Sequence, residues 1–317
     1  MLVSVIIPIY NVSLYLRDCL DSCINQTYKD IEFICVDDGA TDGSGQIADS
    51  YAKSDSRFKV IHKPNKGLPS ARKSGIEMAK GDYIFHLDGD DSIPVNAISD
   101  LVEEAMATDA DIVIGDYITK IQDNTEILGD SRIYNKLLGK EYLHFILKEG
   151  LFNIWGKLIK RTLYTHNAIQ IPLQISMGED LVQMTQLAYY SNLCVPCKKV
   201  VYQYYIRPTS MSRNQKNIIG ELTDRSIYAV EFITRFLRPN ADSITEKLLS
   251  EYNKQLVYDY MRSPYPTSLR HKELKTLVSF INKSSHGVKS FRDFVCRIAL
   301  YNLLFAKCLA KISLIRH

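Results

Sequence analysis

Over its first 115 residues the chain alternates short β-branched runs with amphipathic stretches, and that alternation leaves few folds open. Val3–Ile7, Ile31–Val36, Phe58–His62, Tyr83–Leu87 and Asp111–Gly115 read as strands. Their near-continuous apolar character suits a parallel sheet covered on both faces. Between the first two, Leu16, Cys19, Leu20 and Cys23 recur at helical spacing. Pro69 opens a further helix that runs toward Lys80 and stops at Gly81, and Pro94 opens another toward Ala107. The expected architecture is α/β, a doubly wound and mostly parallel sheet. After Gly115 the rhythm changes. Tyr117–Gln122 and Lys198–Ile206 read as strands, and Lys140–Lys148 and Glu179–Ser191 as helices. From Asn217 onward the pattern is helical, over 217–237, 244–262, 269–283 and 290–315. Three parts result: 1–115, 116–215 and a helical C-terminal region over 216–317.

Composition excludes several classes. With 317 residues, 46% hydrophobic and 24% charged, the chain can bury a sizeable core and is neither disordered nor fibrous. A net charge of +3 argues against a polycation that coats nucleic acid. The positive excess is concentrated: residues 289–317 carry +5, which leaves −2 for residues 1–288. In that tail Phe291, Phe294, Val295, Ile298, Phe305, Leu309 and Ile312 form an apolar stripe at helical spacing. It has two readings, a helix packed on the preceding ones or an interfacial helix on an anionic membrane surface. The start lacks the basic and apolar regions of a signal peptide, and no apolar run approaches a spanning helix. The expected location is therefore cytoplasmic, with a peripheral place on the inner face of the cell membrane if the tail binds lipid. Seven scattered cysteines read as reduced thiols, and Cys194-Val-Pro-Cys197 lacks the second pair that would complete a zinc site.

In open α/β sheets ligands bind beyond the carboxyl ends of the strands. Here four polar clusters fall at such ends: Pro8-Ile9-Tyr10-Asn11, Asp37-Asp38-Gly39-Ala40-Thr41-Asp42, Asn65-Lys66-Gly67 with Ala71-Arg72, and Asp88-Gly89-Asp90-Asp91. Each alone is an ordinary turn former. The acidic cluster is the least ordinary, because crowding Asp88, Asp90 and Asp91 costs repulsion unless a cation offsets it. Hard oxygen ligands suit Mg²⁺ or Mn²⁺, which bind one or two carboxylates together with substrate phosphates. No phosphate-binding G-x-x-x-x-G-K-[ST] loop is present.

In order and at these spacings, the four clusters make residues 1–215 resemble the family 2 glycosyltransferases of the GT-A fold, a Rossmann-like sheet. Two departures are mild: Ala40 stands where many relatives have serine, and Lys73 where asparagine often follows the Ala-Arg pair. The resemblance implies a nucleotide-sugar donor, a uridine diphosphate sugar. Pro8, Tyr10 and one carboxylate of Asp37 and Asp38 would line the base pocket, with Asn65 and Arg72 completing it. Asp88-Gly89-Asp90 matches the metal-binding DxD signature, so Asp88 and Asp90 would hold Mn²⁺ or Mg²⁺ against the diphosphate.

The second half is expected to supply the acceptor site and a base. Glu179 and Asp180 open a helix, where acids also offset the macrodipole. The resemblance instead makes Asp180 the catalytic base of an inverting displacement, with Glu179 beside it. Trp155 and Lys157, in Trp155-Gly-Lys157-Leu, match a family segment placed at the acceptor, though a lone tryptophan also suits a core. Arg207, with Ser210 and Ser212, matches a basic loop that reaches the diphosphate. The implied reaction moves a sugar to a hydroxyl of a saccharide or lipid-linked saccharide in surface glycan assembly. The alternative is a non-catalytic sugar-nucleotide-binding or assembly protein on the same fold.

Overall fold

The computed structural model describes residues 1–121, 126–129, 132–175, 178–207, 227–262, 271–282, 290–303, 306–307 and 310. The chain divides into two compact units, Met1–Leu143 with Asn153–Ser176 and Gln186–Ser210, and His144–Phe152 with Met177–Thr185 and Met211–His317.

The first unit holds the sheet. Its elements begin β1 (Val3–Ile9), α1 (Leu16–Ile24), β2 (Ile31–Asp37), α2 (Ser44–Ser54), β3 (Phe58–His62), α3 (Leu68–Met78), β4 (Tyr83–His86) and α4 (Ala97–Thr108). They continue through β5 (Ile112–Lys120), β6 (Glu126–Gly129), β7 (Leu137–Leu138), α5 (Lys140–Glu149), β8 (Lys157–Lys160), α6 (Arg161–His166), α7 (Glu179–Tyr190) and β9 (Leu193–Tyr205), with 144–149 of α5 and 179–185 of α7 belonging to the second unit. Among the described residues the strand order is β3-β2-β1-β4-β8-β5-β9-β7, with β6 paired to β5. β1, β2, β3 and β4 are mutually parallel, and β5 pairs parallel to β9. Every residue of β1, β2 and β4 is buried, as expected for strands covered on both faces.

The sheet is mostly parallel, as the sequence predicts, and departs from the expected elements in several places. β8 inserts antiparallel between β4 and β5. The two strands expected on either side of Gly115 are one, β5, because Gly115 sits within the ladder and lets the Val201 side chain approach its backbone. α2 fills the β2–β3 connection through buried Ala48 and Tyr51. α4 begins at Ala97, a turn later than Pro94.

At the end of the sheet opposite the strands' carboxyl ends, a buried network ties the first strands together. Ser4 Oγ donates to Glu32 Oε1 at 2.6 Å and accepts the Gly81 N–H at 2.8 Å. Glu32 also accepts the Lys80 N–H at 2.7 Å and pairs with Lys59 at 2.5 Å. Burial opposes the charge on Glu32, yet hydrogen bonds from Lys59, Ser4 and Lys80 hold its carboxyl below the usual range.

The second unit is helical. Residues 227–237 form α8, followed by α9 (Ser243–Arg262), α10 (His271–Asn282) and α11 (Phe291–Tyr301). Asn253 Nδ2 donates to Thr234 Oγ1 at 3.0 Å inside it. The single helix expected over 290–315 is interrupted at Asn302, and the described residues beyond it, 303, 306–307 and 310, are helical again. Ser290 Oγ caps α11 by accepting the Asp293 N–H at 3.1 Å, and extended Asn302 ends it. Val295, Cys296 and Ala299 are buried, Arg292 reaches Glu251 at 2.5 Å, and Asp293 pairs with Lys254 at 3.1 Å. That is the packed reading of the stripe at Val295, whereas Phe294 remains 43% exposed. Phe305, Leu309 and Ile312 lie outside the described residues. Among the described residues no helix is long and apolar enough to cross a membrane. Cys194 and Cys197 are both buried thiols on β9, each pushed up to about 12 chiefly by burial.

A Cβ at Gly81 would fall 2.6 Å from Ser4 N and 2.7 Å from Ser4 Oγ. Gly81→Ala is expected to cost about 1–3 kcal/mol by overpacking. Urea denaturation, with an unchanged m-value and a lower midpoint, checks it.

Candidate active site

The carboxyl ends of β1, β2 and β3 are stitched into one rim by carboxylates. Asn11 Oδ1 accepts the Thr41 N–H at 2.9 Å. Asp42 accepts the N–H groups of Ser13 at 2.8 Å and Ser44 at 3.0 Å. Burial opposes its ionisation, but those bonds and the Ser44 hydroxyl carry it down to about 2. Asp38 is buried and clamps the following loop, accepting the N–H groups of Lys66 at 3.1 Å and Gly67 at 2.7 Å beside the Lys63 ammonium at 3.2 Å. Asp37 accepts the Ala40 N–H at 2.8 Å and meets His62 Nδ1 at 2.8 Å. His62 also meets Asp49 at 3.0 Å, and the hydrogen bonds to these two carboxylates raise its pKa. Pro8 lies buried in β1, Tyr10 projects at the rim with 50% of its surface exposed, and exposed Asn65 accepts the Gly67 N–H at 3.1 Å.

Just past β4 the acidic cluster forms a tight turn, closed by the Asp91 N–H to the Asp88 carbonyl at 3.0 Å. Gly89 is required there because a Cβ would sit 2.9 Å from the Pro8 carbonyl oxygen. The three carboxylates have different surroundings. Asp88 accepts from Arg72 Nη2 at 2.9 Å; Arg72 is 1% exposed and the Asp88 side chain 25% exposed. Asp91 accepts the Tyr202 hydroxyl at 2.8 Å and the Tyr205 N–H at 2.9 Å, while the Asp88 N–H donates to the same Tyr202 hydroxyl at 3.2 Å. Burial, then the charges of Asp90 and Asp88, push Asp91 up to about 8. Asp90 is pushed up to about 6, first by burial and then by the charge of Asp88.

Arg207 completes the turn, and His86 does not. Arg207 Nη2 donates to the Asp90 carbonyl at 2.6 Å, and its guanidinium lies 3.5 Å over the Tyr15 ring and 4.8 Å from the Tyr205 ring centroid. His86 faces away, as strand alternation requires, meeting the Tyr164 hydroxyl at 3.0 Å. Burial, then the charge of Arg72, keeps its imidazole well below the usual histidine range.

Among the described residues no three His, Cys, Asp or Glu side chains are grouped to hold a metal ion by themselves. The surroundings of Asp88 and Asp90 nevertheless fit a hard cation. Asp91 has both oxygens engaged by β9, whereas Asp88 and Asp90 are neighbours whose mutual repulsion raises Asp90. Two carboxylates with the remaining ligands from a diphosphate is an ordinary Mg²⁺ arrangement.

The residues expected at the acceptor lie on other elements. Trp155 is packed among rings, stacked on Tyr202 at 4.5 Å and Tyr204 at 5.6 Å, with Tyr117 edge-on at 5.1 Å. Lys157 is buried and its ammonium donates to the Asn153 carbonyl, holding the turn before β8. Glu179, buried, and Asp180, half-buried, open α7 after Gly178, whose φ is 88°; both lie in the second unit's share of that helix. Ser210 and Ser212 lie outside the described residues. Sequence reasoning passed over Tyr202 and Tyr205, which hold the acidic turn from β9; the tyrosine run at 202, 204 and 205 was their only signal.

This arrangement has a family. The sequence profile of glycosyl transferase family 2 matches residues 4–172, and the chain belongs to that family. EpsH of Bacillus subtilis is 33% identical over 80% of this chain and 72% of its own length. Glycosyltransferase GlyA of Streptococcus pneumoniae is 35% identical over 67% of this chain but only 31% of its own length, so the chain spans under a third of that relative. Among solved structures, S. aureus TarS residues 1–349 in complex with UDP-GlcNAc superposes with a TM-score of 0.74 at 19% identity, covering 100% of this chain and 92% of that one. The sheet is thus of the GT-A fold.

Asp91 supplies a pH test of the turn. Burial and the charges of Asp90 and Asp88 push its carboxyl up to about 8, against about 4 for an aspartate in water. Its contribution is fully present below about pH 4 and is lost as pH rises through 8. In EDTA, the melting temperature of Asp91→Asn relative to wild type is expected to rise steadily from pH 5 to pH 8.5.

Proposed function

We propose that this chain is a metal-dependent, inverting glycosyltransferase using a nucleotide diphosphate sugar, a UDP-sugar, and a hydroxyl of a saccharide or lipid-linked saccharide in surface glycan assembly. The observation that carries this reading is the acidic turn after β4, where Asp88 and Asp90 crowd together beside Arg207 on the rim that also bears Tyr10, Asp37, Asp38 and Asn65. The complex of TarS with UDP-GlcNAc favours a uridine nucleotide. Residues 1–115 then bind the donor, 116–215 contribute the acceptor side, and 216–317 form the helical region.

Within this reading a carboxylate of the Asp37–Asp38 pair accepts the uracil N3–H, a donor that cytosine lacks. Tyr10 covers the base, and the backbone at Pro8 and the side chains of Asn65 and Arg72 border the nucleoside. Asp88 and Asp90 would hold Mn²⁺ or Mg²⁺, which would supply Lewis acidity against the charge of the departing diphosphate. Arg207, fixed by the Asp90 carbonyl and the Tyr15 ring, adds a cation to the same diphosphate. Asp180 takes the proton of the acceptor hydroxyl as it attacks the anomeric carbon, so a single displacement inverts configuration. Trp155, Lys157 and Glu179 shape the acceptor side.

Removing a general base costs about 10²–10⁴-fold in rate. Asp180→Asn is expected to lose that much turnover while calorimetry shows unchanged UDP affinity. Asp90→Ala is expected to weaken UDP binding only when Mn²⁺ is present. Turnover by Asp180→Asn near that of wild type would refute the base assignment.

A further inference from the structure

Beside the acidic turn, on the side of β5 and β9, lies a cavity of about 450 Å³ whose lining includes Tyr15, Lys120, Glu126, Tyr205, Ile206 and Arg207. Its chemistry is distinct from that of the nucleoside rim. Two cations share one aromatic ring, with the Arg207 guanidinium 4.8 Å and the Lys120 ammonium 5.3 Å from the Tyr205 centroid. Lys120 is held within 3.2 Å of Gln203 Oε1 and 3.4 Å of the Tyr205 hydroxyl. The lining acid Glu126 meets Lys120 at 3.5 Å and is itself 55% exposed. The lining therefore carries two positive charges against one negative. Its negative member is a solvent-facing counterion that an incoming anion can replace. The tyrosine faces are turned to the cations, which fixes the positive charge in place and leaves less ring surface for a neutral sugar.

The donor diphosphate of the proposed reaction is drawn to Asp88, Asp90 and Arg207, so Lys120 is a second cation beyond it. We propose that this cavity binds a phosphoryl group carried by the acceptor, so that the enzyme glycosylates a sugar phosphate or polyol phosphate in preference to a neutral saccharide. The inference deepens the glycosyltransferase reading and rests on it for the word acceptor. The anion site itself stands on Lys120 and the Tyr205 ring, with Arg207 on the border between it and the diphosphate. Lys120 and Glu126 act as specificity residues of opposite sign: one attracts the phosphoryl group and the other competes with it.

The phosphoryl group has two possible sources, donor and acceptor, and saturation with UDP separates them. Glucose 1-phosphate, with glucose as the neutral control, is titrated calorimetrically into full-length protein saturated with UDP and Mn²⁺. Saturable binding of glucose 1-phosphate and none of glucose is expected. Lys120→Gln should weaken that binding about tenfold, and Glu126→Gln should tighten it about threefold, with UDP affinity unchanged in both. Glu126 is exposed, so its variant reports even if Lys120→Gln folds poorly. Loss of glucose 1-phosphate binding on saturation with UDP would overturn the proposal, since the anion would then occupy the diphosphate site. Equal binding by wild type and both variants would overturn it too. Failure of wild type to bind UDP would instead sink the UDP-sugar reading. The opposite shifts of the two variants, measured without nucleotide, would still uphold the anion site.

Discussion

Three carboxylates within four residues, at the end of a strand buried on both faces, are the constraint around which the first unit is organised. Left alone they would repel one another and resist burial. The fold answers each differently: Arg72 from α3 pairs with Asp88, β9 binds both oxygens of Asp91, and Arg207 holds the Asp90 backbone. Arg72 is itself almost fully buried, so its charge is costly without a carboxylate beside it. Like-charge crowding thus persists at Asp88 and Asp90, where a divalent cation would relieve it.

The same economy runs along the neighbouring strand ends. Asp38 and Asp42 spend their oxygens on backbone N–H groups of adjoining loops, which draws the ends of β1 and β2 and the loop after β3 into one rim. A rim built this way is preorganised, since its loops are tied by charge-assisted bonds in the absence of any ligand. The parallel order β3-β2-β1-β4 sets those ends side by side, and antiparallel β8 carries the sheet on to β5 and β9, whose carboxyl ends bring Lys120, Tyr205 and Arg207 to the same side. Cations there stand on aromatic rings, so the rim passes from acidic to basic across the turn.

What could be read from the sequence follows from the range of the forces involved. Asp37-Asp38 and Asp88-Gly-Asp90-Asp91 are conspicuous because acids interrupt apolar strand patterns locally, and β1, β2, β3 and β4 are legible for the same reason. Asp91 as a structural carboxylate was not, because its partner Tyr202 lies 111 residues away and nothing local marks the pair. β8 escaped notice because Lys157–Lys160 is four residues long with lysine at both ends, and only its two neighbours make it a strand. α2 opens on Ser44-Gly45, poor helix formers, and is held by Ala48 and Tyr51 packing. The tail stripe shows the converse: periodicity foretold an apolar face at Val295, while only helix packing reveals that α11 spends it inside the second unit.

The most direct test of the central claim, that the acidic turn is a metal–diphosphate site, is an anomalous difference map from crystals grown with UDP and Mn²⁺. The expected result is one manganese peak within ligating distance of Asp88 or Asp90 and of the diphosphate oxygens, with the uracil against the Asp37–Asp38 rim. UDP bound with no manganese at the turn, or seated away from it, would contradict the claim.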